Sequence, residues 1–367
     1  MKRMPPPEIV ANRKRSAVMK AVEKLNDMEQ PSKEAVHVVF STDDEYAPYC
    51  GVAVSSLIRH ASPDRNYEIF ILADGLSAEY QTFLTGLAEG RSRVSVRLFS
   101  VSAHLSQLRD SVLSRLPLAA YYRLLLATLF PRLDRIVYCD CDVLVCHDIA
   151  ELYDTELGDN LAAAVPDRAV GMIGGEWLDR AREMLPGLGL SADHFFNSGV
   201  LLMNLGLCRK EQLEPAMIEL SKLPGRMWHD QDVLNMAFKN RWVRLDDSWN
   251  LTLHMYGKGE FLPGMEAGPF SGGEPPRVIH FARSSRKPWD GYDSPYVSLW
   301  WREANRSPFR REIHARYNRK FLTLKKRIKL FLSMLAFFLC PLPSLKRKVR
   351  KRRVRFDLPR GISRFNV

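Results

Sequence analysis

Short apolar runs alternate with more polar, helix-forming stretches along the first 145 residues. The predicted strands here are Val36–Phe40, Tyr67–Leu72 and Val94–Phe99, and the predicted helices lie through 52–58, at 78–87 and near 121–130. A further apolar run follows at 135–145. Short continuous apolar runs are typical of strands buried on both faces. Strands that alternate with helices predict an α/β fold with a mostly parallel central sheet.

The pattern continues beyond residue 160. The predicted elements are strands at 161–165, 195–204 and 278–281, and helices at 210–220 and 230–238. The two aspartates Asp230 and Asp232 suit the amino-terminal turn of the last of these helices. Residues 255–276 are rich in Gly and Pro, which predicts a loop.

The most informative segment is the apolar run from Arg135 to Val145, which carries Asp140-Cys141-Asp142. Open α/β sheets bind ligands beyond the carboxyl ends of their strands, where these two carboxylates would lie. Hard divalent cations prefer carboxylate oxygens, so the pair is a candidate metal site. The alternative is a surface turn with two solvated acids. Because the chain has no G-x-G-x-x-G and no Walker loop, a bound nucleotide would need a metal and side chains to hold its phosphates.

Charge is distributed unevenly. Sixteen of the 54 Lys and Arg residues lie in 319–367 beside the single acid Asp357, so 1–318 contains 38 basic and 41 acidic residues. Residues 330–342 form an apolar stretch of 13 residues, shorter than the roughly 20 that span a bilayer. An apolar segment flanked by cations predicts that 321–355 lies on an anionic membrane surface. The alternative is a C-terminal helix docked on the body. The apolar character of the tail argues against nucleic acid as a partner.

Three of the six cysteines, Cys139, Cys141 and Cys146, crowd the Asp-x-Asp segment. Because they form no C-x-x-C pair, buried reduced thiols are favoured over a zinc site. Reduced thiols suit a cytosolic protein.

The sequence of residues 1–34 predicts a polar leader helix, without the apolar core of a secretory signal.

Six sequence blocks occur in the order found in a known family. They are Phe40–Tyr46, Tyr122–Arg123, Tyr138–Val145, Phe196–Asn204, Asp230–Asn235 and His280–Trp289. Through these blocks, over about 36–309, the chain resembles the family 8 retaining glycosyltransferases. Within that family it resembles the bacterial lipopolysaccharide-core glucosyl- and galactosyltransferases. The resemblance implies a GT-A type fold, a UDP-hexose donor, and Mn²⁺ or Mg²⁺ as the cofactor.

By this resemblance Asp140, Asp142 and His280 would ligate the metal, which would bridge the diphosphate and neutralise charge on the departing UDP. Two carboxylates and one imidazole suit Mn²⁺ better than an all-oxygen Ca²⁺ site. Lys287 would pair with the diphosphate. The spacing from His280 to Lys287 is seven residues against six in the family, and residues 283–286 include two arginines where the family has smaller residues.

The loop after the first strand would hold the uridine through Ser41, Thr42, Asp43, Glu45 and Tyr46. Asp43 would accept a hydrogen bond from the uracil imide, and Tyr46 offers a stacking face. Glu45 stands where the family often has Asn. A capped turn between strand and helix explains Thr42 and Asp43 equally well, and the two interpretations are compatible.

The residues that would surround the donor hexose are Arg123, Asp167, Asn197, Asp230 and Gln231, and Cys141 would be a further donor contact. The implied catalytic residues are Gln231, Asp230 and Arg123. Retention of configuration requires either a nucleophile on the face opposite UDP or same-face attack through an oxocarbenium-like ion. An amide is a poor nucleophile, which favours same-face attack with a UDP oxygen as the base and Gln231 stabilising charge at the anomeric carbon. Asp230 as the nucleophile is the alternative.

The predicted function is transfer of glucose or galactose from a UDP-sugar to a saccharide hydroxyl, in the lipopolysaccharide core or another lipid-linked saccharide. The predicted location is the bacterial cytoplasm, peripheral on the inner face of the inner membrane.

Two alternative functions stay open: a haloacid-dehalogenase-like phosphotransferase, whose first motif is also a strand ending in Asp-x-Asp, and a non-catalytic sugar-nucleotide binder. The predicted segments are a leader at 1–34, a GT-A domain at 35–290, a helical segment at 291–318 and a basic tail at 319–367. Residues 168–195 are expected to contribute to acceptor binding.

Overall fold

The computed structural model describes residues 34–104, 108, 118–167, 183–223, 229–252, 275–282, 287–291 and 296–321. Within these ranges, ten strands form two sheets. They are β1 (Val36–Thr42), β2 (Tyr67–Ala73), β3 (Val94–Ser100), β4 (Arg135–Cys139), β5 (Val143–Val145), β6 (Ala162–Pro166), β7 (Phe196–Asn204), β8 (Trp242–Arg244), β9 (Leu251–Thr252) and β10 (Val278–His280). Residues 1–33 of the predicted leader, residues 255–274 of the predicted loop and the tail beyond Phe321 lie outside the described residues.

The central sheet has seven strands in the order β3-β2-β1-β4-β7-β6-β8. Strands β1 to β4 are parallel, β7 is antiparallel to both β4 and β6, and β8 is parallel to β6. The sheet is therefore mostly parallel, as the sequence predicts, with β7 alone reversed. Because of that reversal, the carboxyl ends of β1, β4 and β6 meet the amino end of β7 at one edge.

The apolar segment 135–145 forms two strands, and the two aspartates follow the carboxyl end of the first, as the sequence predicts. Strand β4 ends at Cys139, and β5 leaves the central sheet to pair with β10 in a second sheet of order β5-β10-β9. The backbone N–H of Asp140 still bonds to the carbonyl of Gly199, at 2.8 Å, before the chain turns. Asp140 and Asp142 thus lie at the junction of the two sheets.

Nine described α-helices connect or cover the strands. They are α1 (Ala47–His60), α2 (Ala78–Thr85), α3 (Leu126–Leu129), α4 (Ala150–Tyr153), α5 (Leu205–Lys210), α6 (Leu213–Leu220), α7 (Asp230–Ala237), α8 (Val297–Arg306) and α9 (Arg310–Phe321). The helix predicted near 121–130 is instead a 3-10 segment, Leu118–Leu125, followed by one α-helical turn. The helix predicted at 210–220 is divided between α5 and α6, because Gln212 adopts a left-handed backbone conformation.

Apolar residues cover both faces of the central sheet. The face that carries α1 also receives the C-terminal helices, since Trp300 and Trp301 of α8 and Phe309 before α9 are buried there with at most 1% of their surface exposed. The predicted helical segment 291–318 therefore shares the core of the preceding domain. Within the described residues, no helix is long and apolar enough to cross a membrane.

Candidate active site

Acidic and imidazole side chains converge at the junction of the two sheets. Asp140, Asp142 and His280 each offer one ligand atom, and these atoms lie within 4.8 Å of one another. The Nε2 atom of His280 is 3.1 Å from Asp142 Oδ1 and 3.7 Å from Asp140 Oδ2. Adjacent ligands of an octahedral ion bound at about 2.1 Å lie about 3 Å apart. The donor set and its spacing therefore fit one small divalent cation.

A glycine makes room for this cluster. A Cβ atom built on Gly199 of β7 would lie 2.7 Å from Nδ1 of His280 and 2.8 Å from Oδ2 of Asp140. Both distances are shorter than normal van der Waals contacts. The absence of a side chain at this position is what lets the imidazole pack against the strand.

Lys287 contacts the same carboxylate. Its ammonium bonds to Oδ2 of Asp142 and donates to the carbonyl of Phe281 at 2.6 Å. Burial opposes ionisation of Asp142, but Lys287 and His280 outweigh it and hold the pKa of this carboxyl well below its usual range. Despite the seven-residue spacing, Lys287 thus reaches the candidate metal ligands. Residues 283–286 lie outside the described residues.

Arg123 joins the predicted metal ligand Asp140 to the predicted catalytic residue Asp230. Its guanidinium donates to Oδ1 of Asp140 at 2.6 Å and lies 3.2 Å from Oδ2 of Asp230. It also donates to the carbonyl of Ser198 at 2.8 Å and lies 4.2 Å from the centre of the Tyr138 ring. Because the guanidinium is buried, these hydrogen bonds and ion pairs hold it in one position.

Asp230 occupies the first turn of α7, as the sequence predicts. Burial raises the pKa of its carboxyl to about 6, while Arg123 opposes the rise. An ionised carboxylate here is held by one guanidinium that it shares with Asp140.

Gln231 is fixed by hydrogen bonds at both ends of its side-chain amide. Its Oε1 accepts from the backbone N–H of Ser198 at 3.0 Å, and its Nε2 donates to Oδ2 of Asp167 at 2.9 Å. The same carboxylate oxygen accepts from Nδ2 of Asn197 at 3.1 Å. The structure therefore brings three of the predicted hexose-binding residues together, with Asn197 and Gln231 both bonded to Asp167.

Asn250 was missed by the sequence analysis. It ends a 3-10 turn, Asp247–Asn250, and its side chain lies between His280 and Asn197, at 2.9 and 2.8 Å. An uncharged amide outside the six blocks gives no signal in charge or spacing, so nothing in the sequence singled it out.

The predicted uridine loop follows β1 at the same edge. Oδ1 of Asp43 accepts from the backbone N–H of Tyr46 at 2.9 Å, so the carboxylate does cap this turn. The Tyr46 ring meets Trp289 edge-on, with centroids 6.1 Å apart.

The side chains of Ser41 and Thr42, at the end of β1, are buried, and Ser41 Oγ has no hydrogen-bond partner among the described residues. A buried hydroxyl without a partner fits a loop that receives a polar ligand.

Of two further predicted donor contacts, Cys141 faces the core and Glu45 is exposed to solvent. The thiol of Cys141 is buried and donates to the carbonyl of Ser41 at 3.0 Å, so its side chain is turned toward the core and away from the carboxylates. The side chain of Glu45 is exposed, while its carbonyl accepts a hydrogen bond from Arg316 of α9. Arg316 also donates to the Tyr80 hydroxyl at 2.8 Å and is a second residue that the sequence analysis missed.

The model of the family "Glycosyl transferase family 8" matches residues 37–292. The chain belongs to this family. It is accordingly a glycosyltransferase, and the haloacid-dehalogenase alternative is not favoured.

The relatives include proteins named as glycosyltransferases and one named as a stress protein. General stress protein A of Bacillus subtilis (strain 168) is 26% identical over 268 residues, which cover 70% of this chain and 88% of that protein. The lipopolysaccharide 1,3-galactosyltransferase of Salmonella typhimurium is 26% identical over 286 residues, which cover 76% and 80%. Other relatives are longer: the match covers only 21% of the probable glycosyl transferase Gly of Streptococcus gordonii.

Solved structures show the same architecture. The bifunctional glycosyltransferase WbbM aligns with a TM-score of 0.65 at 27% identity, covering 79% of this chain and 53% of that one. The family 8 chain thus has the GT-A type fold, with the site described above at the carboxyl ends of its parallel strands.

Proposed function

We propose that the chain transfers a hexose, glucose or galactose, from a UDP-sugar to a saccharide hydroxyl, with retention of anomeric configuration and with a divalent metal. The observation that carries this proposal is the convergence of Asp140, Asp142 and His280 beside the ammonium of Lys287. Two carboxylates give such a site its charge, and the imidazole favours Mn²⁺ among the hard cations. A bound ion would neutralise charge that develops on the departing diphosphate.

The remaining residues have roles that follow from their contacts. Lys287 would supply a second positive charge to the diphosphate. Arg123 would hold Asp140 and Asp230 in place and keep two nearby carboxylates from repelling each other. Asp167, which Asn197 and Gln231 hold in place, would bind the sugar hydroxyls.

Same-face attack is the mechanism that suits Gln231. Because Ser198 N–H binds Oε1 and Asp167 binds Nε2, the amide plane is fixed, and the partial negative charge of its oxygen would stabilise positive charge at the anomeric carbon. The acceptor hydroxyl would lose its proton to an oxygen of the departing UDP. Asp230, whose pKa is about 6, is the alternative nucleophile.

The proposed acceptor is a saccharide of the lipopolysaccharide core. The Salmonella typhimurium relative, a lipopolysaccharide 1,3-galactosyltransferase, supports this choice. The basic and apolar residues 321–355 support an acceptor that is presented at an anionic membrane surface on the cytoplasmic side. Residues 322–355 and acceptor residues 168–182 lie outside the described residues.

The test is release of UDP from UDP-glucose and UDP-galactose, with and without Mn²⁺ and with truncated lipopolysaccharide as acceptor. We expect metal-dependent release that falls at least about a hundredfold in Asp142→Ala, since a metal ligand is worth several kcal/mol of transition-state stabilisation. Asp134→Ala is the matched control, because Asp134 is exposed and pairs with Arg209 at 3.6 Å. Binding of either sugar nucleotide without release would instead support the non-catalytic binder.

A further inference from the structure

Asn250 links the candidate metal cluster to the candidate hexose site. It is 2% exposed, and its side chain has one neighbour on each side. One is Nδ1 of His280 at 2.9 Å, and the other is Oδ1 of Asn197 at 2.8 Å. A buried amide between two functional side chains must donate to one and accept from the other, so its orientation has chemical consequences.

The orientation follows from groups that cannot rotate or change role. The backbone N–H of Gly199 donates to Asn197 at 3.0 Å, so the atom that it meets must be the amide oxygen. On the other side, Asn197 Nδ2 meets a carboxylate oxygen of Asp167 at 3.1 Å, which only accepts. Asn197 therefore presents an oxygen to Asn250.

It follows that Asn250 donates to Asn197 through Nδ2 and turns its own oxygen toward His280. An oxygen accepts, so Nδ1 of His280 must carry the proton. In the neutral imidazole the lone pair is then on Nε2, the atom that lies between Asp140 and Asp142. The tautomer required for metal binding is thus selected by hydrogen bonds that begin at a backbone N–H and a carboxylate.

We propose that Asn250 is a positioning residue with two separable effects. Its oxygen fixes the tautomer and ring plane of His280 for a divalent cation, and its amide nitrogen fixes Asn197, and through it Asp167, for the sugar. Partners on the far nitrogen of a metal-binding imidazole commonly change metal affinity 10- to 100-fold. This inference rests on the proposed metal-dependent function.

The experiment measures Mn²⁺ binding to the full chain by titration calorimetry, without any sugar nucleotide. We expect Asn250→Ala to weaken binding roughly 10- to 100-fold. Asn250→Asp keeps an acceptor for His280 but loses the donor to Asn197. We therefore expect this variant to bind Mn²⁺ at least as tightly as the wild type, while its KM for the UDP-sugar rises.

Asn204→Ala is the control for lost stability alone. Asn204 lies at the other end of β7 and accepts from Leu207 N–H at 2.9 Å, so its loss weakens a helix cap without touching the site. Unchanged Mn²⁺ affinity in Asn250→Ala would overturn the proposal, as would equal loss of affinity in Asn250→Ala and Asn250→Asp. If the wild type binds no Mn²⁺, the proposed metal-dependent function is itself contradicted. That result differs from one in which the wild type binds Mn²⁺ and Asn250→Ala binds it equally well, which contradicts only the role of Asn250.

Discussion

The imidazole of His280 packs directly on the backbone of Gly199. This contact joins the second sheet to the central sheet and fixes the position of the nitrogen that we propose to bind the metal. A Cβ atom at Gly199 would also approach Oδ2 of Asp140 to 2.8 Å, so two of the three proposed ligands depend on the same missing side chain.

Gly199→Ala is therefore expected to lower Mn²⁺ affinity by at least about tenfold. Overpacking at a filled site costs about 1–3 kcal/mol and here displaces the ligands themselves. Titration calorimetry measures the change. Gly86→Ala is the matched control, because a Cβ at Gly86 meets no atom within 4 Å. Wild-type affinity in Gly199→Ala would show that the ligands adjust and that the contact is not critical.

Lys287 and a metal ion would compete for Asp142. Replacement by methionine, which keeps the length and removes the charge, is expected to leave Mn²⁺ affinity unchanged or higher in the absence of nucleotide. The same variant is expected to raise KM for the UDP-sugar at least about tenfold, because a charge-assisted contact to phosphate is lost. Metal titration and UDP-release kinetics test the two effects. A fall in both affinities would mean that Lys287 chiefly supports the fold.

Asp230 is expected to make stability depend on pH. Its pKa of about 6 lies above the ordinary value for Asp, so the folded chain binds this proton more tightly than the unfolded chain. The contribution of this group to stability is complete below about pH 4 and is lost as pH rises through 6. Relative to Asp230→Asn, the wild type should lose about 1 kcal/mol between pH 5 and pH 7.5 in urea unfolding. A gain of stability over this range would contradict the raised pKa.

Arg316 is expected to support nucleotide binding from outside the site. It donates to the carbonyls of Asp44 and Glu45 and to the Tyr80 hydroxyl, so it holds the uridine loop against α9. Arg316→Ala should raise KM for the UDP-sugar about five- to tenfold, equivalent to about 1 kcal/mol, and leave kcat within about twofold. Arg319→Ala is the control on the same helix, since Arg319 is exposed and contacts only Glu312 among the pairs described, at 3.5 Å. A lower kcat with unchanged KM would contradict a loop-positioning role.

The sequence predicted the strands of the central sheet well because their apolar runs are short and bounded by polar turns. It did not predict that β7 is reversed, since a strand buried on both faces has the same apolar pattern in either direction. It also joined β4 to β5. The two strands are separate because Val143–Val145 pairs with β10, more than 130 residues later in the chain. The local pattern of apolar residues does not indicate so distant a partner.

The candidate site was predicted chiefly through charged residues within the six blocks. Asp140, Asp142, His280 and Lys287 do come together, and so do Asp167, Asn197 and Gln231. Asn250 and Arg316 were not predicted, because each acts through a neighbour: one on an imidazole, the other on backbone carbonyls. The position of Cys141 between two aspartates likewise did not indicate that its side chain faces the core.

The reversed strand β7 has a consequence for how the site moves. Asp140 at the end of β4 and Gly199 near the start of β7 share a backbone hydrogen bond in the middle of the sheet. Amides in such a place exchange with solvent only when the most stable part of a protein opens. The backbone beneath the candidate site should therefore be among the last regions of the described chain to acquire deuterium.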